Sequence, residues 1–96
     1  MSKKAAFIEG TTLQLDLWGD QFSAIEKQID HAPRSHRELR KRLVALRRTR
    51  RRLRRRVREA AHDARSDWSE LRQDLEEALE AFRHRAGQVY DTARRL

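Results

Sequence analysis

Cysteine is absent from the 96-residue chain, which excludes a disulfide framework and thiolate-held zinc and leaves the redox compartment open. Proline occurs once and glycine three times. With abundant Leu, Ala, Arg, Glu and Gln, that scarcity favours long helices over sheet. No apolar run approaches the roughly 18 residues that cross a bilayer. The opening stretch, MSKKAAFIEG, is interrupted by Glu9 and Gly10 before it can form a signal-peptide core, so a cytoplasmic protein is the default expectation. Catalytic ingredients are missing too. There is no cysteine nucleophile, no glycine-rich phosphate loop and no serine in a nucleophile elbow. His31, His36, His62 and His84 show no zinc-binding spacing. These absences read as a non-enzyme with no cofactor, no metal site and no small-molecule substrate.

What is present is charge, unevenly spread. Charged residues make up 40% of the chain against 38% apolar, enough grease for narrow seams but not for a broad core. Residues 34–58 carry fourteen basic side chains against Glu38 alone, net +13, inside a chain whose overall charge is +8. Residues 1–33 are net −2, with three lysines against five acids, and residues 59–96 net −3, with six basic side chains against nine acids. A basic block between two mildly acidic ones attracts polyanions, and equally allows the blocks to pair with each other.

The apolar residues fall on a heptad. Ile8, Thr11, Leu15, Trp18, Phe22, Ile25, Ile29 and Ala32 are spaced alternately by three and four, and so are Leu39, Leu43, Leu46, Arg50, Leu53 and Val57. Between them stands HAPRSHRE. Pro33 disfavours helix at Ala32 and suits the first turn of a new one, while Ser35 with Glu38 forms a possible capping box. Folding the chain there sets Ile25 against Leu39, Phe22 against Leu43, Trp18 against Leu46, Leu15 against Arg50, Thr11 against Leu53 and Ile8 against Val57. Arg50 can lay its stem along Leu15 and reach Asp16. The expectation is an all-α antiparallel helical hairpin, a coiled coil, with Ile8, Leu15, Trp18, Phe22, Ile25, Leu39, Leu43, Leu46, Leu53 and Val57 as its seam.

The stripe continues past the hairpin through Ala61, Ala64, Trp68, Leu71, Leu75, Leu79, Phe82, Ala86, Val89, Ala93 and Leu96, provided two stutters keep the residues aligned. No glycine or proline lies between Pro33 and Gly87. The simplest expectation is therefore one long second helix reaching the C-terminus, about 90 Å at 1.5 Å per residue. The chain divides into a first helix over 1–32, a turn over 33–36, a basic helix over 37–64 and an amphipathic extension over 65–96, all one domain. The strip formed by Trp68, Leu71, Leu75, Leu79, Phe82 and Val89 then needs a cover. A second copy supplies it in a dimer or higher homo-oligomer. The alternative is a break near ARSDWSE, with weak capping by Asp67 and Glu70, and a fold-back into a three-helix bundle. A small second stripe on the first helix, Ala6, Leu13, Leu17 and Ala24, offers a dock for either arrangement.

Ile8-Glu9, Gln14-Leu15 with Trp18, and Trp68 with Leu71 stand in an order that resembles a family of small bacterial coiled-coil proteins, some labelled stress-response proteins. The resemblance spans nearly the whole chain and implies a structural or stress-linked role; the family has no established enzymatic activity to carry over. The middle segment departs from the family's Lys/Glu mixture by its arginine content.

That arginine block, RRTRRRLRRRVR, places nine arginines among the twelve residues from Arg47 to Arg58. Arg47, Arg48, Arg51, Arg52, Arg54, Arg55 and Arg58 are candidates for binding nucleic acid or another polyanion. The competing reading is a solvated face offset by Glu9, Asp16 and Asp20 of the first helix, or by the acidic run Asp67 to Glu80 of a partner chain. The segment from Trp68 to Leu96 can also lie on a membrane surface through Trp68, Phe82 and Tyr90, with Arg83, Arg85, Arg94 and Arg95 alongside. Its acidic first half opposes this, so packing against a helix is favoured. The sequence thus points to a self-associating interaction protein first and a polyanion binder second.

Overall fold

Serine at position 2 starts the first helix: its hydroxyl accepts the Ala5 N–H at 3.0 Å, satisfying one of the orphan donors of the first turn. The computed structural model describes residues 2–32, 36–63 and 68–96, which form α1 (Lys3–Asp30), α2 (Arg37–Ala61) and α3 (Trp68–Ala93) with no strand among the described residues. At its far end α1 closes with the His31 N–H on the Lys27 carbonyl and the Ala32 N–H on that of Ile29. The next helix opens at Arg37, with His36 as an N-cap whose side chain makes no capping bond. Pro33 and Ser35, expected to shape that start, lie outside the described residues.

Cross-helix contacts fix the directions. Asp30 meets Arg40 at 3.0 Å, Glu26 meets Arg47 at 2.7 Å, and the Lys4 ammonium donates to the Asp63 carbonyl at 2.7 Å, so α2 runs antiparallel to α1. The ring of Phe7 packs on Trp68, that of Phe22 on Phe82, and the Gln28 amide donates to the Ala93 carbonyl. Hence α3 runs alongside α1 in the same direction and returns against α2. The result is an up-down-up arrangement of three helices packed on one another, 53 × 20 × 17 Å overall.

Of the two arrangements open to the sequence, the folded-back one is therefore present, and a single helix from Arg37 to the C-terminus is not. Two features account for this. First, Val57 is followed inward by Ala60 rather than Ala61: Ala60 is buried, Ala61 is exposed, and α2 ends there. The chain keeps its three-four rhythm and stops, instead of adopting the stutter a continuous helix needs. Ala64 and the Asp67 side of the capping pair lie outside the described residues. Second, the strip offered to a second copy is covered within the chain. Leu75, Leu79, Phe82 and Val89 are buried, Trp68 and Leu71 half-buried. Folding back removes that apolar surface from water without a partner. Leu96, assigned to the same stripe, is exposed beyond the end of α3.

The hairpin side of the core consists of Leu15, Phe22, Ile25, Leu39, Leu43, Leu46, Leu53 and Val57, all buried, with Ile8 half-buried at its rim. Trp18 differs from its expected role. It is half-buried and its ring stands 6.3 Å from Phe82 as well as 5.9 Å from Phe22, so it belongs to the junction of α1 with α3 as much as to the hairpin seam. Thr11 is the buried polar residue of the core.

Candidate polyanion-binding face

Helix α2 contains no aromatic, Asn or Gln side chain, and its only carboxylates are Glu38 and Glu59, near its two ends. Its heptad has a second reading. On the side away from Leu39, Leu46 and Val57, the residues Arg37, Lys41, Val44, Arg48, Arg51, Arg55 and Arg58 repeat at the same three-four spacing, and all are exposed. From Arg37 to Arg58 this stripe spans about 31 Å at 1.5 Å per residue.

The structure sorts the arginines into two groups. Those flanking the seam turn towards α1. Arg40 pairs with Asp30, Arg47 with Glu26, and Arg50 and Arg54 share Asp16 at 3.5 and 3.4 Å. Arg42 stays within its own helix, 3.9 Å from Glu38. Arg37, Lys41, Arg48, Arg51, Arg52, Arg55, Arg56 and Arg58 have no carboxylate within ion-pair distance among the described residues. Charge compensation by the first helix thus runs through Asp16, Glu26 and Asp30. Glu9 and Asp20, which the sequence also suggested, make no ion pair among the described residues.

Of the candidates named from sequence, Arg48, Arg51, Arg52, Arg55 and Arg58 lie together on the outer arc, while Arg47 and Arg54 are drawn towards α1. Arg37, Lys41 and Arg56 belong with the free group. For Arg37 and Lys41 the signal was the heptad itself, extended backwards across Val44.

Arg50 is the exception that reaches inward. Its Nε donates to the Leu15 carbonyl and its guanidinium lies against Gly19, in the space a side chain there would fill. Burial, followed by repulsion from Arg54, holds its guanidinium below the ordinary arginine value, with Asp16 pulling the other way. It stays charged at any physiological pH.

On α3 the exposed Asp74 and Glu77 give the acidic counterpart, while Glu76 and Glu80 are engaged by Arg72 and Arg83 of their own helix. No ion pair links α3 to the arginines of α2 among the described residues. Neither a group of three His, Asp or Glu side chains placed to share a metal ion, nor a helix long and apolar enough to cross a membrane, occurs among the described residues. Compared with known proteins, the chain matches no family model, no curated protein and no solved structure.

Proposed function

We propose that the protein is a three-helix scaffold that binds polyanions along the outer face of α2. The observation that carries this reading is the split among the arginines: those beside the seam have carboxylate partners, whereas a straight row of exposed cations on the far side has none among the described residues. A row of unneutralised charge repels itself, so a fold that retains it gains most from an anionic partner of matching length. The test is retention on a heparin column. The wild type is expected to stay bound at about 0.15 M salt, and R48E/R51E/R55E to elute in the flow-through while keeping its helical circular-dichroism signal. A wild type that fails to bind at that salt overturns the reading.

A second reading has its own observation. Leu13 and Leu17 on α1 are 59% and 56% exposed, and together with Ala6 and Ala24 they form a stripe symmetric about residue 15. Two α1 helices packed antiparallel about a two-fold axis would bring Leu13 of one copy onto Leu17 of the other. Glu9 and Asp20 lie along one margin of this stripe, so such an association strengthens with added salt, opposite in sign to polyanion binding. Sedimentation should show a dimer that Leu17→Glu converts to monomer without loss of helix. A wild type that stays monomeric at high salt and high concentration removes this reading and leaves the first intact.

A further inference from the structure

We infer that the polyanion is a DNA duplex, held by its phosphate backbone without regard to sequence. The inference rests on the polyanion reading and sharpens it by what the outer face of α2 lacks. Proteins that hold single strands stack successive bases on aromatic rings, and α2 has no aromatic residue. Base edges are read by Asn and Gln as well as by arginine, and α2 has neither amide; the Thr49 hydroxyl is already committed to the Ala45 carbonyl. An anionic membrane surface rewards apolar side chains that enter it, and Val44 is the one exposed large apolar side chain on the stripe.

The shape fits a groove rather than a plane. At 100° per residue the unpaired cations of α2 occupy an arc about 160° wide, from Arg58 round to Arg56. A flat surface would meet only its centre, whereas phosphates on both walls of a groove can meet both margins. An α-helix with its side chains is about 10–12 Å across, and the major groove of B-form DNA is about 12 Å wide, whereas that of an RNA duplex is too narrow and deep to admit it. The central cluster, Arg48, Arg51, Arg52, Arg55 and Arg58, supplies five cations within three turns of helix.

The experiment is fluorescence anisotropy with the full chain, across a series of salt concentrations. One probe is a duplex of about twenty base pairs, roughly twice what the stripe spans at 3.4 Å per pair. The others are a second duplex of unrelated sequence, a single strand of thymidines of equal length, and phosphatidylserine vesicles. The two duplexes are expected to bind alike and at least tenfold tighter than the single strand. The logarithm of affinity should fall against the logarithm of salt with a slope of about −4.5, five phosphates at −0.9 each. In R51A/R55A, whose fold is checked by circular dichroism, the slope should become shallower by about two contacts' worth. Single-strand binding as tight as duplex binding, or vesicle binding without duplex binding, overturns the duplex inference and leaves the polyanion reading standing. Two duplexes that differ tenfold overturn the backbone-only part. Binding to none of these, nor to heparin, overturns both.

Discussion

Phe82→Ala is expected to cost about 3–5 kcal/mol, the range for deleting a fully buried aromatic ring. The ring is 2% exposed and stands 6.0 Å from Phe22 and 6.3 Å from Trp18, edge-on to both, so it fastens α3 to α1 through a cluster that adds to the burial itself. Domains of this size have a total stability of about 5–15 kcal/mol, and short chains bury a smaller share of their surface. Losing Phe82 therefore removes a large part of what holds the bundle, and the variant should be substantially unfolded at 37 °C. A urea titration followed by tryptophan fluorescence reads this directly, because Trp18 touches the deleted ring. Arg85→Ala, at an exposed position of the same helix with no ion pair among the described residues, serves as the control and should change stability by less than about 0.5 kcal/mol. A Phe82→Ala loss below about 1 kcal/mol would mean that α3 does not dock on α1 in solution.

The second large effect is a coupling. In Gly19→Ala the new Cβ would lie 2.6 Å from the guanidinium carbon of Arg50, so the guanidinium must leave its seat. Alanine gains about 1 kcal/mol over glycine in a helix interior. Losing a charge-assisted bond to the Leu15 carbonyl costs about 1.5–3 kcal/mol, so the single variant should be less stable than wild type by roughly 1 kcal/mol. Arg50→Leu alone continues the seam between Leu46 and Leu53 but leaves the space at Gly19 unfilled, and should be close to neutral. With both changes the clash has no guanidinium to displace and the helix gain is retained. G19A/R50L should therefore exceed wild type by about 1 kcal/mol, a coupling of about 2 kcal/mol between residues in contact. Chemical denaturation of the four proteins closes the cycle; additive changes would show that Arg50 does not rest on Gly19.

Both effects depend on features of unequal visibility in the sequence. The antiparallel pairing of α1 with α2 was legible because eight positions from Ile8 to Ala32 and six from Leu39 to Val57 keep one rhythm either side of a single proline. Periodicity reports which face of a helix is apolar. It does not report what covers that face, and so the stripe from Trp68 to Val89 reads first as a seam for a second copy and only second as a fold-back. The choice depended on Ala60 and Ala61, two identical side chains whose burial differs only by helical phase, and on the angle at which Trp18 presents its ring to Phe82. Likewise the richness in arginine was plain, but its division was not. Which guanidinium finds a carboxylate depends on where Asp16, Glu26 and Asp30 fall along the margin of α1 once the helices are aligned.

Isolated from its neighbours, the arginine helix would not hold its shape. Arg47 and Arg51, Arg48 and Arg52, Arg51 and Arg55, Arg52 and Arg56, and Arg54 and Arg58 are like charges one turn apart, each pair costing a few tenths of a kcal/mol. What keeps α2 straight is its buried side, Leu39 to Ala60, clasped between two other helices. The apolar seam is therefore a splint for the cationic side. A polyanion docking there would meet a rod that is already rigid, its backbone entropy lost on folding rather than on association.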